Sequence, residues 1–130
     1  MHPKSPFDLS STYLDLAPDG RVTAMEGGAS FWQRTEQQLD AACTGYLVLQ
    51  FRCERDMEHQ EMHPAGDEVL HLVSGAVDVV LAEALGERIV ALHAGDTCIV
   101  PRGTWHHFLV REPGAMLGLT FGRGTEHRPR

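Results

Sequence analysis

From Gly45 onward, short aliphatic and β-branched runs alternate with turn residues: "GYLVLQFRCE", "EVLHLVSG", "AVDVVLAE", "ERIVALHAGD", "TCIVPRG", "HHFLVRE" and "AMLGLTFG". They read as seven strands in about 80 residues. Gly or Pro stands at most junctions and no helical period intervenes, so the expected fold class is all-β, an antiparallel sandwich or barrel rather than a βαβ sheet. Upstream, "SFWQRTEQQLDAA" (30–42) is rich in helix formers, and Ser30 followed by Gln33 has the spacing of a capping box. A short N-terminal helix is expected there. Phe7, Leu9, Tyr13, Leu14 and Leu16 leave two options for the first 20 residues, an edge strand or an arm over a neighbouring subunit. The C-terminal "GRGTEHRPR" has no apolar period and is expected to fray. The chain thus divides into an arm and helix over 1–44, a barrel over 45–122 and a flexible tail over 123–130.

At 130 residues the chain fits one domain, able to bury roughly two thirds of its unfolded surface. Neither a repeat nor a Pro/Gly/Ser linker divides it. Hydrophobic residues at 42% and charged residues at 22% are the composition of a soluble globular protein. The apolar runs fall short of the roughly 20 residues of a membrane span, and "MHPKSPFDLS" lacks the apolar core of a signal peptide. A cytoplasmic protein without a membrane partner is expected. The net charge of -7 offers no basic patch for nucleic acid. Cys43, Cys53 and Cys98 are odd in number and form no CxxC, which argues against disulfides and sulfur-ligated zinc. They read as small hydrophobes in strands. No glycine-rich turn stands at a strand-to-helix junction of the kind that cradles phosphate.

The densest chemistry lies in "HQEMHPAGDE" (59–68). Helix propensity would put His59 and His63 on one helical face, but Glu61 is misplaced for the HExxH zinc helix. An extended strand instead turns His59, Glu61 and His63 to one side. "PAGD" then reads as a turn in which Gly66 is free to take a positive φ, and Glu68 opens the next strand with Leu70 and Leu72 on its face. A second segment, "GDTCIVPRGTWHHFLV" (95–110), repeats the style, with His106, Phe108 and Val110 on one face and Trp105, His107 and Leu109 on the other.

These two segments resemble the paired motifs of the cupins, G-x5-H-x-H-x3-4-E-x6-G and G-x5-P-x-G-x2-H-x3-N. His63, Glu68 and Gly75 fit the first, and Gly95, Pro101, Gly103 and His106 the second, with 19 residues between the motifs. Three positions depart from the pattern: Arg55 for a glycine, Val110 for the terminal asparagine, and Glu61 for the first histidine. The resemblance implies a small antiparallel jelly-roll barrel with a divalent metal inside. His63, Glu68 and His106 would be ligands, and Glu61 would occupy the fourth ligand position. Imidazole and carboxylate leave Zn, Fe, Mn, Ni and Co open. Two carboxylates close together in an apolar barrel repel one another, which a cation relieves. The alternative for Glu61 is a solvated place at the barrel mouth, or a pair with Arg52, Arg55 or Arg102.

His59 could replace Glu61 as ligand or serve in the pocket, for which Leu70, Leu72 and Phe108 are the other candidates. His71, His107 and Trp105 alternate outward, the last two as surface or subunit-contact residues. His2, His93 and His127 carry no spacing argument. No catalytic residue is singled out, although Glu61 or His59 could act as a base. The expected function is a metal-dependent enzyme, an oxygenase, isomerase or lyase, acting on a small oxygen-bearing molecule. The alternative is a non-catalytic sensor module that binds a small molecule or metal. Phe31, Trp32, Trp105 and the N-terminal arm suggest a homodimer.

Overall fold

The computed structural model describes residue 3 and residues 5–130, and His2 lies outside the described residues. Its elements run β1 (Thr12–Leu16), β2 (Val22–Glu26), α1 (Ala29–Trp32), α2 (Glu36–Ala42), β3 (Tyr46–Cys53), β4 (His59–Met62) and β5 (Glu68–Leu72). They continue with β6 (Ala76–Glu83), β7 (Gly86–His93), β8 (Thr97–Val100), β9 (His106–Glu112), β10 (Gly114–Thr120) and β11 (Glu126–Pro129). Two antiparallel sheets result, one ordered β2-β1-β3-β10-β5-β8 and the other β11-β4-β9-β6-β7. This is the all-β fold expected from the alternation, in the jelly-roll form that the cupin resemblance implies. In β5, for instance, Glu68, Leu70 and Leu72 face inward while Val69 and His71 stay partly exposed.

The core forms where inward faces meet. Leu70, Leu72, Cys98, Val100 and Met116 of the first sheet pack with Val77, Val79, Leu81 and Leu92 of the second. Cys53 and Cys98 are buried, and burial pushes the Cys53 thiol up to about 11, so it stays protonated as a small hydrophobe. Gly75 turns the chain into β6 with φ +89°, and a Cβ there would lie 2.6 Å from the Glu112 carbonyl oxygen. Only glycine fits that turn and that approach.

Several local expectations are corrected. The helical segment is two short helices, and the capping box belongs to Thr35 and Gln38: Gln38 N donates to Thr35 Oγ1 at 3.1 Å and Thr35 N to Gln38 Oε1 at 2.9 Å. Ser30 instead donates to Glu26 Oε1. Residues 12–16 are an interior strand, because β2 pairs on its far side and takes the edge. Asp15 ties β1 to the start of β3 by accepting from the Thr44 and Gly45 amides and the Thr44 hydroxyl. Phe31 is buried, edge-on to Tyr13 at 5.1 Å and packed with Leu47 and Leu49. The tail is ordered as β11 against β4. Gly66 does not take a positive φ; its lack of a side chain admits Phe121, whose Cβ would stand 2.6 Å from an added methyl.

Candidate metal centre

Four strands deliver the site. Residues 59–62 are extended, so the alternation that aligns Glu61 with His63 prevails over helix propensity. Glu61 stands opposite His106 across β4 and β9, and Thr120 opposite Glu68 across β10 and β5. His63 follows β4 directly and its carbonyl accepts from the Gly103 amide, which docks the turn before β9 on it. Glu68 therefore reaches from one sheet toward two imidazoles carried by the other. His63, Glu68 and His106 are all buried, and Glu61 is partly exposed.

One Glu68 oxygen faces each ring: His106 Nε2 is 3.1 Å from Oε1, and His63 Nε2 is 3.3 Å from Oε2. Glu61 Oε2 lies 3.9 Å from His63 Nε2. Glu61, His63 and His106 each offer a ligand atom within 4.8 Å of the others. The far ring nitrogens define the tautomers. His106 Nδ1 is 3.0 Å from the Thr104 carbonyl oxygen, which can only accept, so Nδ1 carries a proton. His63 Nδ1 is 2.8 Å from Thr125 Oγ1, whose own proton goes to the Gly122 carbonyl at 2.7 Å; that hydroxyl therefore accepts from Nδ1. Each imidazole is thus anchored at Nδ1 and turns Nε2 inward, the orientation of a ligating histidine.

His63 Nε2 is sealed from solvent without a hydrogen-bond partner. Burial opposes ionisation of Glu68, but its contacts with the His106 and His63 imidazoles outweigh it and hold the carboxyl at about 2. Its Oε2 also accepts from the Thr120 hydroxyl at 2.5 Å. Burial disfavours the His106 imidazolium, yet Glu68 more than compensates and raises its pKa. A buried imidazole lone pair beside an ionised carboxylate calls for a cation between them. This donor set fits a divalent first-row metal.

Glu61 pairs with none of Arg52, Arg55 and Arg102 among the described residues; Arg52 meets Glu54, and the Arg102 amide bonds Asp67. The ring nitrogens nearest its carboxylate belong to His59, His63 and His127. His59, Leu70 and Phe108 line a cavity of about 810 Å³ that opens from the centre toward α1 and α2, with Phe51 and Arg123 also on its wall. Leu72 lies behind that wall, fully buried in the core. His71 is turned from the centre toward Thr97, at 2.8 Å.

His107 and Trp105, expected at the surface or in a subunit contact, belong to a packed layer behind β4. Gln60 Nε2 donates to His107 Nδ1 at 3.4 Å, Arg128 Nε donates to Gln60 Oε1 at 2.6 Å, and the Arg128 guanidinium covers the Trp105 ring at 4.3 Å. His107 is buried, and burial followed by the Arg130 charge lowers its pKa. Sequence reasoning missed Thr104, Thr120, Thr125 and His127. Two-residue alternation through Thr125 and His127 was the available signal, hidden by a tail without apolar residues.

A family model described as a cupin domain matches residues 54–122. No curated protein matches the chain. Among solved structures, a Bacillus subtilis oxalate decarboxylase variant is 17% identical over 73% of this chain and 26% of its own, with a TM-score of 0.57, a likeness of fold. A hydroquinone 1,2-dioxygenase, solved with Cd2+ and 4-hydroxybenzonitrile, is 25% identical over 59% of this chain and 58% of its own, with a TM-score of 0.49. A cupin-2 domain containing protein from Shewanella frigidimarina is 20% identical over 66% of this chain and 72% of its own, also with a TM-score of 0.49. The chain therefore spans little over half of the dioxygenase chain and about a quarter of the decarboxylase chain.

Proposed function

The chain belongs to the cupin family, and from that premise we propose that it is a metal-dependent enzyme acting on a small oxygen-bearing molecule in the 810 Å³ cavity. The observation that carries this reading is the pair of buried imidazoles, each fixed at Nδ1 and presenting Nε2 to Glu68. His63, Glu68 and His106 would hold the ion, with Glu61 as fourth ligand. A divalent metal supplies Lewis-acid polarisation of a substrate oxygen or, if redox-active, one-electron chemistry with dioxygen.

The chain's own groups do the rest. Thr125 and the Thr104 carbonyl keep the Nδ1 protons and stop the rings from turning. The Thr120 hydroxyl holds Glu68 in place. Phe51 and Phe108, with ring centroids 6.1 Å apart, give the cavity an apolar wall that excludes water from a bound substrate. Arg123, whose guanidinium donates to the Asp40 carbonyl at 3.1 Å, also lines the cavity and supplies a permanent positive charge suited to a carboxylate or enolate oxygen remote from the metal.

Elemental analysis of tag-free protein purified without added metal tests the centre. Near-stoichiometric first-row metal is expected, and His106→Ala and Glu68→Gln should each remove the equivalent held at the inner centre. Unchanged content in the two variants would overturn the assignment. Turnover of small hydroxy acids, diketones or phenols by the loaded protein, with oxygen uptake recorded, then separates an enzyme from a binding module.

A further inference from the structure

Outside the inner centre stands a second pair of imidazoles that the proposed function does not use. β11 pairs with β4 so that His127 lies opposite Glu61 and Pro129 opposite His59. Residues opposed across an antiparallel pair project to the same face, and His59 shares that face with Glu61 two residues on. His59, Glu61 and His127 accordingly converge at the cavity mouth, each offering a ligand atom within 4.8 Å of the others. The two rings lie 5.1 Å apart, against 5.2 Å for His63 and His106. The Glu61 carboxylate is divided between the pairs. Its Oε1 lies 3.6 Å from His59 Nε2 and 4.0 Å from His127 Nδ1, while its Oε2 faces His63 at 3.9 Å.

We infer that His59, Glu61 and His127 hold a second divalent ion of the zinc, cobalt or nickel type, with Glu61 bridging it to the inner centre. A neutral histidine at position 61 has only one ring lone pair and would bridge two ions only by giving up its ring proton, whereas the carboxylate offers two donor oxygens at once. Two imidazoles and one carboxylate oxygen are a sufficient set for a borderline-soft divalent ion, with the remaining positions open to water or substrate. His59 and His127 are about half exposed, so the ion enters from solvent, and all three residues border the cavity. An anionic substrate oxygen entering there meets a second positive centre before the inner one. The inference shares Glu61 with the proposed inner centre and rests on that reading only for the bridge; His59 and His127 define the outer site independently.

Titration of tag-free, chelator-stripped full chain with Co2+ tests it, with bound metal counted after equilibrium dialysis and visible absorption recorded. The expected result is two equivalents for the unaltered chain and one for His59→Ala and for His127→Ala. These residues sit on different strands, so a shared loss is not a folding defect of one. His106→Ala should keep the outer equivalent, and Glu61→Gln should weaken both steps about tenfold or more. A single equivalent that His106→Ala abolishes and His127→Ala leaves intact would overturn the outer site and keep the inner one. A single equivalent with the opposite pattern would support the outer site and remove the inner centre.

Discussion

Glu61 replaces a neutral nitrogen ligand of the cupin pattern with an anion that has two donor atoms, so the charge of the site and its possible nuclearity change together. The three other proposed ligands are held by partners the motif does not contain. Thr125 is the clearest, because its hydroxyl fixes the His63 tautomer. Thr125→Val removes that acceptor while keeping the shape, and is expected to weaken metal binding about 10- to 100-fold with little change in fold, measured by competition with a chromophoric chelator. The Glu68–His106 pair also makes the metal-free protein sensitive to pH. Glu68 is depressed from 4.5 to about 2, so its stabilisation is present above 4.5 and lost as pH falls toward 2. His106 is raised above 6.5, so its stabilisation is full below 6.5 and lost as pH rises through the folded value. The pair therefore contributes most between 4.5 and 6.5. A metal must displace the His106 proton, so the difference in Tm between loaded and metal-free protein should grow from about pH 5.5 to about pH 7.5. A difference that is flat or shrinks with pH would contradict this protonation scheme.

At the scale of elements, the barrel was legible wherever one face is buried, because period-2 alternation follows burial. All seven runs read from the sequence are strands, β3 and β5 to β10. Apart from β1, which buries Tyr13 and Asp15 in alternation and was read as either an edge strand or an arm, the rest are strands for reasons that lie outside their own residues. β11 has all four residues exposed, and β2 is an edge strand with no fully buried position; both are extended because a neighbour pairs with them. The segment 59–62 was ambiguous since its residues favour a helix, and pairing with β11 and β9 decided for the strand. Three of the four inner-centre residues, His63, Glu68 and His106, were legible from motif spacing, and Glu61 from its deviation. Thr125 and His127 were not, because they come from the tail. That tail is held through Arg128, which bonds Gln60 and covers Trp105. Arg128→Ala leaves the buried Gln60 oxygen without its donor, which should cost about 1–3 kcal/mol in chemical denaturation. It should also shift tryptophan emission to the red as Trp105 meets water. Unchanged stability and emission would mean that pairing to β4 alone holds β11.

The two sheets of the whole molecule differ on their outer faces. The second sheet carries polar groups that partner one another: Asp78, buried, meets the Arg111 guanidinium, and His107, Gln60 and Arg128 form the chain described above. The first sheet instead aligns Ile99, Val69, Leu119, Val48, Leu14 and Ala24 in one register row across its six strands. Ile99 at the β8 edge is 60% exposed. Of Phe31, Trp32 and Trp105, the aromatic residues first considered for a subunit contact, Phe31 and Trp105 are occupied by Tyr13 and Arg128 within the chain, while Trp32 is 56% exposed. The homodimer is therefore proposed on this aliphatic row. Val48 in the middle of the row is already buried within the chain, so a twofold axis near the β8 edge would place its exposed end, at Ile99, against the same residues of a second copy. With the flanking positions, it must bury about 800 Å² per subunit to be stable. Light scattering at micromolar concentration should give twice the 14.4 kDa chain mass for the unaltered protein and the single mass for Ile99→Lys. The metal content of that variant should be unchanged, because Ile99 faces away from the centre and its substitution reports on assembly alone. A single mass for the unaltered protein would leave the row as the open face of a monomer, and dimerisation would have no part in how the site is built.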